Sequence, residues 1–414
     1  MNMHPISKLI AAAARMSLLG LIALCGFALA AGAQSFSSGS DGSDGAFDLT
    51  GTPSGTTVTF VPANFPGDQH SLGIYNFSTI TIPTGVTVRL SALKLPGPVI
   101  WLATGAVDIE GTVDLSGQAG YPPNLTIGGR LRATDAGAGG YAGGMGANTT
   151  VSSLSAGAGD GPGGGAGAFY NNSVGAGPAS AGSYTGNNFL VPLVGGSGGG
   201  GGIGYSDPLN FGGSGGAGGG ALLIASSVSI TVNGFINASG GAGGSGGDYY
   251  TNGGAGSGGG IRLVTNTIAG TGSIYAAVIR LEAFNSSSQF SISGSETSDT
   301  PTGPLVLPTV AQPSITITSI NSVAAPATPM ASVSSPDVTF NSANPVTLAV
   351  QATNIPVGTV VTLHLYSDNT GTDQTVQTTP LAGTLQSSTA TASVTFPSGY
   401  SMNYVKATWT SSKY

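Results

Sequence analysis

The chain has 414 residues, enough for two or three domains, and only 7% of them are charged, against about a quarter in typical globular proteins. Its net charge is −7, and an acidic, lysine-poor chain binds nucleic acid and anionic lipid poorly. A mean hydropathy of +0.24 is too high for a charged disordered chain. The composition is instead typical of β-rich proteins whose outer positions are Ser, Thr, Asn and Gly.

The first 33 residues predict a cleaved secretory signal peptide. Lys8 and Arg15 provide a positive start, residues 16–29 form an apolar stretch, and residues 31–33 (AGA) form a small-residue cleavage site. The apolar stretch is short for a bilayer span, and no later stretch is long enough. We therefore expect a secreted or cell-surface protein with no membrane span after cleavage.

Cleavage also changes the chemistry that the chain offers. The single cysteine, Cys25, lies inside the signal peptide, so the mature chain has neither disulfides nor a thiolate ligand or nucleophile. Because Lys8 and Arg15 are removed as well, the net charge of the mature chain becomes −9.

Three similar stretches predict a parallel β-solenoid over residues 34–285. They begin at Val99, Gly218 and Gly258, and each places apolar residues two apart between glycines, which is the strand period. Self-similar units of this kind bury their apolar faces by stacking on one another. We expect a right-handed parallel β-helix. Superposing the stretches predicts which residues lie over one another in adjacent coils: Val107 and Val228; Ile109, Ile230 and Ile268; Val113, Ile236 and Ile274.

Glycine and alanine dominate residues 118–217, where the alternating pattern stops. A chain so rich in glycine is ordinarily disordered, because ordering glycine costs the most backbone entropy. Two ordered alternatives remain open: long loops over one face of the solenoid, or bundled polyproline-II-like glycine helices, whose contacts admit only glycine-sized residues. The interspersed aromatic residues favour docking over free disorder. We expect a large glycine-rich insertion in the solenoid.

A second domain follows a polar linker at residues 286–310. Five alternating stretches between residues 311 and 414 are spaced as in antiparallel sheets: SITITSI, PVTLAVQATNI, TVVTLHLYS, ATASVTFPSG and MNYVKATWT. This spacing predicts an immunoglobulin-like or fibronectin-type β-sandwich that lacks the cysteine pair of antibody domains.

Three acids in the stretch VDIEGTVDL, namely Asp108, Glu110 and Asp114, are the strongest catalytic candidates. If their apolar neighbours face the core, the acids lie outside, about 6.5–7 Å apart along a strand, which is within the range for two glycosidase carboxyls. Arg130 follows as a group suited to a sugar acid. However, alternation alone produces such a row on any solvated strand, and the second stretch has neutral residues there. We expect no catalytic residue, with these four as the alternative.

Calcium is the only cofactor that the pattern suggests, and only weakly. Asp248 lies in GGSGGDYY, which matches one copy of a calcium-binding nonapeptide repeat, but that site needs tandem copies. Asp41, Asp44 and Asp48 near the mature N-terminus lack the pattern of an EF-hand loop. We therefore predict no metal site, and Asp248 remains the weak candidate.

The other charged residues suggest no further chemistry. Arg89, Arg262 and Arg280 lie on predicted strands, where we expect them to solvate the outer faces. His70 and His364 belong to different predicted domains, so no catalytic triad or metal cluster is predicted.

Several of these stretches resemble known sequences. The signal peptide, the opening GSDGSDGAF, the unit PVIWLATGAVDIEGTVDLSG and the blocks around GGGALLIASSVSITVNGFINASGGAGG together resemble bacterial secreted glycine-rich β-helix proteins. The segment from PVTLAVQATNIPVGTVVTL to ATASVTFPSG resembles bacterial immunoglobulin-like modules. The resemblance implies a fold and a surface location, and it transfers no catalytic residue.

These observations favour a secreted, non-catalytic structural or adhesive protein. Its expected partners are extracellular glycans, matrix or other copies of the chain, and not nucleic acid. The alternative is a polysaccharide-binding or polysaccharide-degrading β-helix protein, because β-helices carry adhesins and carbohydrate enzymes alike.

Overall fold

The computed structural model describes residues 35–122, 133–149, 156–171, 175–176, 178–205, 212–246, 251–308, 313–326, 336–341, 343–367, 373–397, 399, 401 and 403–409. Within these ranges the protein is all-β, without an α-helix, and has two short 3₁₀ helices, Pro62–Asn64 and His70–Leu72. A large parallel sheet is formed by strands between Gly45 and Asp299, which is compatible with a β-helix or solenoid.

The described residues before position 300 form sixteen strands. In chain order they are Gly45–Asp48 (β1), Thr57–Thr59 (β2), Ile74–Ile82 (β3), Thr87–Arg89 (β4), Val99–Ala103 (β5), Val107–Ile109 (β6), Thr112–Asp114 (β7), Ala147–Thr149 (β8), Tyr170–Asn171 (β9), Gly175–Ala176 (β10), Ile203–Tyr205 (β11), Ala221–Val232 (β12), Phe235–Asn237 (β13), Gly260–Gly270 (β14), Ser273–Ser288 (β15) and Ser291–Asp299 (β16). Twelve of them, all except β8 to β11, form the parallel sheet.

Successive passes of the chain pair in parallel, and the pairs fall into three columns. The first column runs from the start of β3 through β5 and the starts of β12 and β14 to the middle of β15 and the end of β16. The second runs from the end of β1 through the end of β3, β6 and the ends of β12 and β14 to the end of β15. The third joins β2, β4, β7, β13 and the start of β15. Every coil therefore rests on the one before it.

Side chains alternate between the interior and the surface along these strands. Val107, Ile109, Val113 and Leu115 are fully buried in one cluster with Trp101. The period-two prediction is therefore confirmed for this unit. At the N-terminal end of the same core, aromatic rings fill the interior in mutual contact: Phe47, Phe60, Phe65, Tyr75 and Phe77.

The predicted register between coils is wrong for the first unit by two residues. Val107 pairs with Ile230, not with Val228, whereas the predicted pairing of Ile230 with Ile268 is correct. The true pairing keeps one constant spacing from Val99 with Leu222 to Asp114 with Asn237, without a bulge. A slip of two residues leaves every side chain on the same face, so alternation alone does not exclude the predicted register. Val228 lies at an irregularity between β12 and β14 and is half exposed. Further along the chain, Ile236 pairs with Val113 and Ile274 as predicted.

The parallel sheet also extends beyond the predicted boundary at residue 285. Strand β15 continues to Ser288, and β16 pairs with it in parallel as far as Asp299, so the first half of the predicted linker is the last coil. The sequence SISGSETSD has few apolar residues at the alternate positions that face the core. For this reason its pattern does not predict a strand.

The glycine-rich block forms a bundle of extended segments joined by hydrogen bonds. Segment 212–220 shows the pattern, since every third amide donates to the same neighbour. Its donors and acceptors are Gly213, Gly216 and Gly219 to Thr251, Gly254 and Ser257; Ser214, Ala217 and Gly220 to Tyr121, Gln118 and Leu115; Gly212, Gly215 and Gly218 to Ala147, Gly144 and Tyr141. A repeat of three residues is the period of the polyproline-II helix, so the second alternative for this block is confirmed in the described residues.

Close packing explains the composition of the bundle. A β-carbon on any glycine of segments 196–202 or 212–220 would lie less than 3 Å from a neighbouring backbone atom. Three non-glycine side chains in these segments, Ser197, Ser214 and Ala217, are small and fully buried. Residues 238–246 and 251–259 also belong to the bundle, which is therefore larger than the predicted insertion at 118–217.

The bundle is continuous with the parallel sheet. Segment 115–122 follows β7 directly. Its Leu115 donates to the last residue of β13, and its Gly117 and Gly120 donate to the segment that follows β13. Segment 212–220 leads into β12, and segment 251–259 leads into β14. The two parts therefore share both backbone and hydrogen bonds.

Eight further strands form two antiparallel sheets over a common core. They are Ser314–Ile320 (β17), Val323–Ala324 (β18), Val346–Thr353 (β19), Val360–Ser367 (β20), Asp373–Pro380 (β21), Ala382–Thr384 (β22), Ser387–Val394 (β23) and Asn403–Thr408 (β24). The sheet orders are β18-β17-β19-β23-β22 and β21-β20-β24. Leu348, Val350, Leu363 and Leu365 are buried between the two sheets.

Candidate functional site

Asp108 lies at the outer surface of the second column. It stands between Thr81 and Thr231 on the adjacent strands, and its inward neighbours Val107 and Ile109 are fully buried. Burial, and then the nearby Glu110 carboxylate, raise the pKa of Asp108 above its ordinary value. Its Oδ1 atom is buried and has no hydrogen-bond partner among the described residues.

Glu110 occupies the turn after β6. Its Oε1 atom accepts a hydrogen bond from Asn233 Nδ2 at 2.7 Å, and Asn233 Oδ1 accepts one from the amide of Thr271 at 3.1 Å. Glu110 is thus tied to the corners of the next two coils.

Asp114 belongs to the third column, not to the second. Its Oδ2 atom accepts a hydrogen bond from Arg89 Nη1 at 2.8 Å, and its Oδ1 atom accepts one from the amide of Ser116 at 2.9 Å. Arg89 also donates from Nη2 to the carbonyl oxygen of Ser116 at 2.8 Å. Arg89 is therefore a fixed partner of Asp114, unlike the solvated residue expected from the sequence.

The structure thus brings two of the predicted acids together and separates the third. Asp108 and Glu110 interact electrostatically, and an acid with a raised pKa beside a second carboxyl has the character of a proton donor. Asp114 is already bonded to Arg89. Arg130, the fourth candidate, lies outside the described residues, as do Asp248 and the rest of the second half of the predicted calcium motif, residues 247–250.

The acids near the mature N-terminus have structural partners. Asp44 is buried; its Oδ1 atom accepts from the amide of Gly67 at 2.7 Å and lies 2.9 Å from His70 Nε2, and its Oδ2 atom accepts from the amide of Asn76 at 2.6 Å. Asp41 and Asp48 are exposed, and hydrogen bonds from the amides two residues later lower the pKa of each. All three acids organise turns in this structure.

A buried charge cluster on the first column is absent from the sequence-based expectations. Glu282 Oε1 accepts from Arg262 Nε at 2.8 Å and from Arg280 Nε at 2.6 Å, and Arg280 Nη2 lies 3.3 Å from Asp299 Oδ2. The Phe189 ring covers the Arg280 guanidinium, 5.4 Å from the ring centroid. Arg262 and Arg280 are therefore largely buried ion-pair partners and not solvated side chains.

The sequence did contain a signal for another surface feature. In GFINA and GSIYA an aromatic residue takes an outward position of a strand, where its register partners on the adjacent strands are polar: Thr112 and Ser273 for the first, Asn237 and Ser293 for the second. These residues are Phe235 and Tyr275, and their rings meet edge to face, with centroids 4.8 Å apart.

The described residues offer neither a membrane-spanning helix nor a metal-binding cluster. No helix among them is both long and apolar enough to cross a bilayer, and they contain no group of three or more His, Cys, Asp or Glu suited to a metal ion.

Comparison with known proteins gives no relative for this chain. No protein-family model, no curated protein and no solved structure matches it.

Proposed function

We propose that this is a secreted, non-catalytic structural or adhesive protein of the extracellular space or cell surface. In this proposal the parallel sheet is a right-handed β-helix that serves as a stiff body. The glycine bundle braces the β-helix, and an immunoglobulin-like or fibronectin-type sandwich is a spacer or attachment module.

The observation that carries the proposal is the interlocking of the two parts. Coils of the parallel sheet alternate with bundle segments along one chain, and neighbouring segments share hydrogen bonds every third residue. Such a body is rigid and has few titratable groups, which suits a load-bearing role better than a catalytic one. The predicted signal peptide supports the extracellular location, and the two antiparallel sheets over one core support the sandwich.

Expression of the full chain in a bacterium tests the location. We expect the protein in the extracellular or surface fraction, with its N-terminus at Gln34 after cleavage. Substitution of both Lys8 and Arg15 by Glu removes the positive start of the signal and is expected to retain the protein inside the cell. Intracellular retention of the unaltered chain would contradict the proposal.

Adhesion is tested separately on beads coated with the secreted protein. We expect the beads to attach to cells or matrix, or to one another, more than beads coated with an unrelated acidic protein do. Attachment equal to that of the unrelated protein would leave only the structural role.

A second candidate, polysaccharide hydrolysis, is favoured by one observation, the raised pKa of Asp108 beside Glu110. Incubation with a panel of polysaccharides, followed by analysis of released oligosaccharides, tests it. Turnover that is lost in both Asp108→Ala and Glu110→Ala would replace the non-catalytic proposal.

A further inference from the structure

A row of charged, polar and aromatic side chains crosses the outer surface of the third column. The residues at the centres of its strands, such as Val113 and Ile236, are fully buried, so the residues on either side of each point outward. We call the resulting surface the Phe235–Tyr275 face. It consists of Arg89, Asp114, Phe235, Asn237 and Tyr275.

Parallel pairing sets the order of these residues. Arg89, Asp114, Asn237 and Tyr275 are register partners on four consecutive strands, so each lies about 4.8 Å from the next. Phe235 stands beside Asn237 on the same strand, two residues away. The row runs across the strands, along the direction in which the coils stack.

The two aromatic rings supply an apolar surface within this row. Phe235 and Tyr275 are both half-buried and pack edge to face, with an interplanar angle of 84°. Packing of this kind fixes the rings before any ligand binds, which lowers the entropic cost of binding. Fixed rings of this size match the C–H faces of sugars.

The polar members of the face are also held in place. Arg89 and Asp114 each form a hydrogen bond with the backbone of Ser116, since Arg89 donates to its carbonyl oxygen and Asp114 accepts from its amide. Asn237 Oδ1 accepts a hydrogen bond from the amide of Ser239 at 3.1 Å. A carboxylate, a guanidinium, an amide and a phenol in one fixed line can donate to and accept from several hydroxyl groups.

The charges of the face decide between ligand classes. Arg89 and Asp114 neutralise each other, so the face has no net charge, and the chain as a whole is acidic. An acidic polysaccharide would be repelled by the chain and would find no free cation on this face.

We propose that the Phe235–Tyr275 face binds a neutral, linear polysaccharide laid along the stack of coils. One strand spacing is comparable to the length of one hexose unit, so successive units meet successive members of the row. This inference rests on the proposed extracellular function, and it names the class of glycan that such a protein would hold.

Native electrophoresis of the secreted protein in gels containing a soluble neutral β-glucan, such as hydroxyethylcellulose, tests the proposal. We expect the glucan to retard the protein, and Phe235→Ala and Tyr275→Ala each to weaken binding about tenfold. Gels containing polygalacturonate are expected not to retard it. Phe169→Ala removes an exposed aromatic ring elsewhere and serves as the matched control, with unchanged retardation expected.

Tyr275→Leu guards against a simple loss of folding, because it keeps an apolar side chain but removes the ring. We expect its melting temperature to stay near that of the unaltered protein while its binding falls. Full retardation of Tyr275→Leu would overturn the proposal, as would retardation by polygalacturonate alone. Absence of retardation in every neutral glucan would also overturn it, and normal secretion in the same preparation would then show that the proposed extracellular function still stands.

Discussion

Gly199 donates its amide hydrogen to the carbonyl oxygen of Gly216 at 2.9 Å, and a β-carbon on Gly199 would lie less than 3 Å from the carbonyl oxygen of Gly254. One residue thus joins two neighbouring segments, the first by a hydrogen bond and the second by direct packing. The packing contact leaves no room for a side chain, so the bundle depends on glycine for space.

Gly199→Ala is therefore expected to lower the free energy of unfolding by about 1–3 kcal/mol or more, the usual cost of overpacking a close-packed interior. Gly51→Ala is the matched control, since a β-carbon there meets no atom within 4 Å. Thermal unfolding followed by circular dichroism compares the two variants. Equal melting temperatures would show that the bundle is not packed as described.

Glu282→Ala is expected to destabilise the protein by about 3–5 kcal/mol, because it leaves two largely buried guanidinium groups without their shared carboxylate. Glu296→Ala removes an exposed acid from the last coil and is expected to change stability by less than about 0.5 kcal/mol. Denaturant unfolding measures both. A small effect at Glu282 would mean that water already solvates the two arginines.

Asp44→Ala is expected to cost about 1–3 kcal/mol, because it leaves the amides of Gly67 and Asn76 without acceptors. Hydrogen exchange is the sharper measurement, since faster exchange should be confined to these two amides and their neighbours. Asp41→Ala, in an exposed turn, serves as the control and should leave both amides protected. Unchanged protection in Asp44→Ala would rule out this anchoring role.

Asp108→Asn is expected to raise the melting temperature slightly at neutral pH. The folded state raises the pKa of Asp108 above the unfolded value, so it binds more protons than the unfolded state between those two pKa values, and stability falls as the pH rises through that interval. The Asn variant has no proton to lose there. Its melting temperature, measured from pH 3 to pH 8, should therefore lack this decline. A pH profile identical to that of the unaltered protein would contradict the raised pKa of Asp108.

Local alternation was enough to predict the inside and the outside of the coils. Val107 and Ile109 face the core because a strand turns successive side chains to opposite sides, whatever its neighbours are. The partner of Val107 in the next coil could not be predicted in the same way. A slip of two residues keeps every side chain on the same face of a strand, so alternation fits the predicted partner Val228 as well as the true partner Ile230.

The charge cluster and the bundle were harder to predict for related reasons. Arg262 and Glu282 are 20 residues apart and meet only because β14 and β15 pair in one particular register. In the bundle, glycine has no side chain to mark its neighbour, so the sequence indicates close packing without stating which segments touch. Asp108, Glu110 and Asp114 show the same limit, since their outward direction was predictable and their division between two columns was not.

The three-residue repeat of the bundle has a consequence for how its length can change. If three residues are added to a segment or removed from it, every later amide still faces the same neighbouring segment. A single inserted residue instead rotates all later amides by one third of a turn, toward carbonyls that are already occupied. The bundle can therefore be lengthened or shortened by whole turns while the coils on either side keep their places.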